Sequence, residues 1–304
     1  MPDPISAARE AAIRQAYKLE HQLYQLGNTS LAEIKAELEV TRRSVLSILA
    51  TATKDWQISQ AQSLLDEIER QIKAWGAFST SAIGSRFPTV ADIGVEQMTA
   101  ALKAGGTSLS IGAGPMLSRA FIAVAYQSLP LMITDISTEA TSKIGRILRQ
   151  AVLAQRTPFD AMQEIGTITG KGVFGSALVR GETILRTEYG RIAQTANHAA
   201  LSDVAQDNPT LHKEWSAIID GRTRPTHAKA DGQIRDVDKP YDLGGYPGLY
   251  PHDPQLPAEE SINCRCISVA QDASWPDDRT KSTQVPEGAT SLDIAPAPDV
   301  SSAP

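Results

Sequence analysis

Cys264 and Cys266 are the two thiols of the chain and stand one residue apart. A disulfide across that spacing would close a small, strained ring. Two thiolates at i and i+2 can instead serve one soft metal, given a turn between them. His227 and His252 then offer themselves as third and fourth ligands, drawn from loops that converge if this region is compact, and the set is that of a structural zinc site. The same residues serve equally as two buried thiols packed in a short strand. A second group, Asp220, Arg222, Arg224, His227 and Asp231, has the composition of a metal-dependent hydrolase or nuclease. In it Asp220, His227 and Asp231 would hold a divalent cation, and the arginines would hold phosphate. No nucleophile is fixed by the pattern. The alternative is a set of hydrogen-bonded ion pairs that pin loops where apolar residues are scarce. The glycine-rich run from Thr107 to Gly114 fails as a phosphate-binding loop, because no Lys-Ser/Thr follows and the third glycine of a dinucleotide fingerprint is missing.

The elements that must position these residues read as helices for most of the chain. Apolar positions spaced by three or four predict a helix over 5–26, with Gly27-Asn28 as its stop. Ser30 and Glu33 form a capping box for a second helix with Ile34, Leu38, Val45 and Leu49 on its buried stripe. A third runs from about Asp55 to Trp75, making an antiparallel bundle of three. Asp92 to Lys103 is a shorter helix. Further helices are expected from Pro115 to Leu129, ending before Pro130, and from Ser137 to Gln155, whose Lys143, Arg146 and Arg149 form a solvated face. Thr157-Pro158 caps a short helix, the glycine-rich segment 166–175 makes a link, and a helix from Ser176 to about Val204 is expected to break near Gly181. Beyond Asp207 only short strand candidates remain, at Trp215–Ile219, Gln233–Val237 and Cys266–Val269. The expected fold is mainly α. A helical domain over 1–175 precedes a small α+β, loop-rich module over 176–272, and 273–304 form a disordered or extended tail.

Composition narrows the function classes. The 304 residues are 41% hydrophobic and 21% charged, as in a soluble globular protein. No apolar run reaches the ~20 residues of a membrane span. The N-terminus lacks the basic and apolar regions of a secretion signal, so synthesis in the cytoplasm is expected. Residues 1–180 carry 18 basic and 16 acidic side chains, and the remainder 11 and 19. An acidic C-terminal half argues against broad DNA binding, which calls for a basic face.

Arg186, Thr187, Glu188, Asn197, Trp215, Asp220, Arg222, Thr223, Arg224, His227, Asp231, Gly232, Pro251, Asp253, Glu260 and the closing Asn263-Cys264-Arg265-Cys266 stand in a characteristic order. Together they resemble the phage Mu F-like family of head morphogenesis proteins over about residues 180–270. The resemblance implies a minor capsid protein of a tailed phage or prophage. It would act in procapsid assembly near the portal, with portal, scaffold or major capsid protein as partners. Transient contact with phage DNA, or packaging and ejection with it, is a further implication, and the location would be the virion. The resemblance implies no catalytic residue. The segment Tyr241 to Pro257, rich in Gly, Pro and Tyr, departs from the pattern ahead of the cysteines.

Overall fold

The structure, a computed structural model, describes residues 4–51, 58–107, 116–153, 155–167, 172–273 and 275. The expectations for the tail from 276 on, for the start of the helix near Asp55 and for most of the 107–114 connector lie outside the described residues. Helices fill the first two thirds: α1 (Pro4–Thr51), α2 (Ile58–Gly84), α3 (Phe87–Ala104), α4 (Met116–Val152), α5 (Pro158–Gly166) and α6 (Val173–Ala205). The rest alternates strands with short helices: β1 (Leu211–Ser216), α7 (Pro225–Ala230), β2 (Ile234–Asp236), β3 (Tyr241–Leu243), β4 (Tyr246–Gly248), α8 (Ala258–Ser261) and β5 (Ile267–Asp272). The mainly α class with a small α+β module is what the chain adopts.

Three helix stops expected from the sequence do not occur. Helix α1 passes through Gly27-Asn28 and Ser30 without a break, so the bundle of three becomes two long helices. Leu23, Gly27, Ser30, Ile34 and Leu38 are all buried, in steps of three or four. The buried stripe keeps its phase across the glycine, and packing along it outweighs the ~1 kcal/mol that a mid-helix glycine costs. Helix α4 likewise carries Pro130 in its interior. That residue is exposed, whereas Ala125, Leu129, Ile133 and Ile136 continue the buried face on either side. Gly181 does not interrupt α6. The Thr157 cap does form: its Oγ1 accepts the Asp160 amide at 3.1 Å, with Pro158 in the first turn.

The chain resolves into two compact units, and the division between them falls within helices. The described residues of one lie in Met1–Gly27, Arg86–Val124 and Arg186–Ile294, those of the other in Asn28–Ser85 and Ala125–Leu185. Among its described residues the second has helices as its regular elements. Its Trp75 donates to the Ile34 carbonyl at 3.3 Å, tying α2 to α1. The first holds the module. Strand β1 pairs antiparallel with both β2 and β5, with Trp215 opposite Ser268 and Ser216 opposite Ile267. The strand starts four residues before the expected Trp215, because buried Lys213 and Glu214 disguise it as polar. Strands β3 and β4 form a hairpin closed by Gly244 and Gly245, both at positive φ. Ala12, Ile13 and Ala16 of α1, Met98 and Leu102 of α3, and Leu201 and Val204 of α6 pack with Leu211, Ile267 and Val269 into one core. A second, smaller core gathers Trp215, Tyr241, Leu243, Leu256, Cys264 and Cys266.

Candidate functional site

The Cys-Arg-Cys segment is set up by the residue before it. Asn263 takes φ of 54°, a left-handed conformation that Asn tolerates better than most residues. Its amide donates to Thr187 Oγ1 of α6 at 3.2 Å. The carbonyl of neighbouring Ile262 accepts from Arg224 at 2.6 Å. With the turn held at both ends, the chain runs straight into β5. Alternation in extended backbone puts Cys264 and Cys266 on one side and Arg265 on the other. Arg265 then grips Asp220 with two parallel hydrogen bonds of 2.7 and 2.6 Å. These hold the Asp220 carboxyl well below its usual range, with the Arg222 amide adding to the effect.

On the other side the sulfurs meet His227, presented by α7. Its Nδ1 lies 3.2 Å from Cys266 Sγ and 3.6 Å from Cys264 Sγ. Its Nε2 lies 2.9 Å from a Glu260 carboxylate oxygen, and that oxygen also accepts from Thr226 at 2.8 Å. The Trp215 ring stands edge-on to His227, with centroids 5.5 Å apart. Burial raises the Cys264 thiol, but Cys266, His252 and His227 outweigh it and leave Cys264 well below its ordinary value. Cys266 is pushed up by burial and by Cys264. His252, at φ 65°, sits against Gly190 of α6, close enough to act electrostatically on Cys264. Burial holds its imidazole neutral to lower pH than usual, and its Nδ1 has no hydrogen-bond partner among the described residues. Asp253 accepts from the amides of Leu249 and Gln255 at 2.8 and 2.9 Å and so fixes the loop that carries His252.

The hydrolase trio is not gathered. Asp220 is engaged by Arg265 and Arg222, and Asp231 accepts the Ala217 amide at 2.8 Å. Among the described residues, His227, Cys264 and Cys266 form the one group of three or more candidate metal donors, within 4.8 Å of one another. His252 lies beside this group without joining it at that distance. The remaining motif residues organise the frame. Arg186 lies over the Tyr24 ring, 4.9 Å from its centroid. Buried Glu188 pairs with Arg191 at 2.6 Å. Asn197 is buried with both side-chain polar atoms lacking a hydrogen-bond partner among the described residues. Gly232, at φ 76°, donates its amide to Trp215.

Several residues that hold this frame carry no sequence signal. Glu214, wholly buried, is met by Arg9 at 2.7 Å and by Gln271 at 2.6 Å. A buried polar chain links α1, α3, α6 and β5: Gln97 donates to Glu20, Gln194 to Gln97, and the Ser268 amide to Gln194. Lys213 is buried, with its Nζ donating to the Leu249 carbonyl at 2.7 Å. Each is an ordinary charged or amide residue whose role comes from partners distant in sequence.

The family model described as "Phage Mu protein F like protein" matches residues 143–269, and that segment belongs to this family. The match begins earlier than the ordered motif residues, within α4. The chain is 34% identical over 94 residues to the minor head protein GP7 of Bacillus phage SPP1, covering 31% of this chain and 30% of that protein. It is 33% identical over 86 residues to the NAD(+)–arginine ADP-ribosyltransferase EFV of Enterococcus faecalis, covering 28% of this chain and 18% of that one. The chain thus spans less than a third of either curated relative. No solved structure matches it.

Proposed function

We propose that the protein is a minor head component of a tailed phage or prophage, working in procapsid assembly beside the portal through interfaces rather than turnover. The observation that carries this reading is the family match over 143–269, together with the likeness to a protein named for its place in the phage head. The partners would be portal, scaffold or major capsid protein, and the location the virion. Among the described residues no helix is long and apolar enough to cross a membrane.

The helical unit supplies the surface for such contacts. Val40, Phe78, Tyr126, Leu131, Leu153 and Phe159 all belong to it and are exposed, Leu131 and Phe159 to 69% each. Large apolar side chains left in water are what assembly interfaces bury. Between α2 and α4 the same unit has a groove of about 680 Å³, lined by Gly76, Thr80, Ile133 and Ser137 among others.

The test is mass spectrometry of purified heads, with the gene intact, disrupted, or carrying Leu131→Glu and Phe159→Glu. The protein is expected in heads at low copy, and the double variant is expected to be depleted from them. Heads that lack the protein and form normally without its gene would overturn the reading. The likeness to EFV favours a second reading, an enzyme. Transfer of ADP-ribose from NAD(+) to arginine by the purified chain would establish it.

A further inference from the structure

We propose that Cys264, Cys266 and His227, completed by His252, form a closed structural site for a soft divalent cation of the zinc class. The inference stands on the module's own geometry and does not depend on the head-assembly reading.

Three donors already converge. A zinc ion with sulfur ligands at ~2.3 Å and nitrogen at ~2.0 Å sets its tetrahedral donors roughly 3.5 Å apart. The His227 Nδ1 lies 3.2 and 3.6 Å from the two sulfurs, so binding asks for little rearrangement. The orientation of the imidazole is the second argument. Glu260 lies 2.9 Å from Nε2, close but outside hydrogen-bond geometry, while the Nδ1 edge of the ring faces both sulfurs. A carboxylate behind a metal-binding histidine is the usual way of fixing tautomer and ring together, and Thr226 fixes the carboxylate in turn. The third argument is the fourth position. His252 brings a buried imidazole next to Cys264, and its Nδ1 lacks a hydrogen-bond partner among the described residues. Its loop is pinned by Asp253, and its strained backbone angle persists because the surroundings enforce it.

A nucleophile assisted by His227 and Glu260 would use similar parts, but it needs one sulfur open to a substrate. Here both cysteines are buried, with Cys266 beside the Trp215 indole. With His252 drawn in as the fourth donor no position is left open, which is the pattern of a structural site. Its product is a fixed turn between α8 and β5 where the apolar core is small.

The full-length chain, stripped of metal and reduced, is titrated with cobalt(II) and then zinc. Cobalt is expected to give the intense visible bands of a tetrahedral site and near-ultraviolet charge transfer from sulfur, both displaced by about one zinc per chain. Cys264→Ser and Cys266→Ser should each diminish the charge-transfer band, and His252→Ala should shift the visible bands. Glu260→Gln keeps every donor and should weaken zinc binding by about 10–100-fold. A chelator should lower the melting temperature of the unsubstituted protein, a readout that needs no variant to fold. No sulfur band with the full chain, or no change in melting with chelator and zinc, would overturn the site. An unchanged spectrum in His252→Ala would overturn its closed, four-donor form.

Discussion

The two units of this molecule are held together by different physics. In the helical unit, Ile34, Leu38, Val45 and Leu49 on α1, Ile68, Ile72 and Trp75 on α2, and Ile133, Ile144 and Leu148 on α4 supply a continuous apolar interior. Its ion pairs, such as Arg42 with Glu39 or Lys73 with Glu69, lie towards water. In the unit that carries the module, the sheet is flanked by buried charge and amide groups joined by specific ion pairs and hydrogen bonds. The first arrangement spreads stability over many interchangeable contacts, each fully buried aliphatic side chain contributing ~1.5–3 kcal/mol. The second concentrates it in a few pairs whose members cannot be removed singly. Arg9 and Arg42 make the contrast testable. Arg9→Ala removes a charged partner of the wholly buried Glu214 carboxylate and should destabilise by about 3–5 kcal/mol in denaturant titration. Arg42→Ala strips a half-exposed pair and should cost at most ~1 kcal/mol. Equal losses would end the comparison.

Glycine sharpens it at smaller scale. Gly94 of α3 meets the Ala193 backbone of α6 so closely that a Cβ there would overlap the carbonyl oxygen. Gly94→Ala should therefore force the two helices apart and destabilise by about 1–3 kcal/mol. Gly181, in the helical unit, has open space where a Cβ would go and sits inside a continuous helix. Gly181→Ala should raise stability by ~1 kcal/mol, since it removes unfolded-chain entropy without a clash. Thermal melts of the two variants should move in opposite directions. Movement in the same direction would show that one of these packing descriptions is wrong.

The same contrast explains what could be read in advance. Apolar periodicity is a local signal, so the helical class and most buried positions of α1, α2 and α4 were legible from Ile34, Leu38, Ile72 or Ile144. Stops were not, because Gly27, Pro130 and Gly181 act through propensities of a kilocalorie or a few, which the packing of a long stripe overrides. In the module the cysteines and His227 could be named from residue type and spacing. Glu260 belongs to the ordered motif, but its contact with His227, and the Arg9–Glu214 and Glu20–Gln97–Gln194 contacts, could not be named. Those pairings join residues tens to hundreds of positions apart, and nothing in a single sequence marks which Glu will meet which Arg.

The smallest effect expected in the intact protein is a pH dependence in which two partly buried groups oppose one another. Glu20 is pushed up to about 7 by burial, against the hydrogen bond from Gln97. Above its unfolded value of 4.5 the folded state holds a proton that the unfolded chain has released, so stability falls as pH rises towards 7. His198 is held down to about 4 by burial and by Lys213. Below its unfolded value of 6.5 the unfolded chain binds a proton that the folded state refuses, so stability rises with pH from 4 to 6.5. Each displacement is worth roughly 3 kcal/mol, with opposite sign over nearly the same window. These two oppose one another between pH 4.5 and 6.5, and His252, also held neutral by burial, adds to the rise. Glu20→Gln keeps the amide contact with Gln97 possible and removes one side of the balance. Denaturation of that variant should then show stability climbing by about 3 kcal/mol from pH 4 to 6.5. A profile parallel to that of the unsubstituted protein would mean that the Glu20 carboxyl is not dry. The polar chain through Gln97 and Gln194 would then be hydrated, and the first unit would owe less to its buried pairs than the comparison claims.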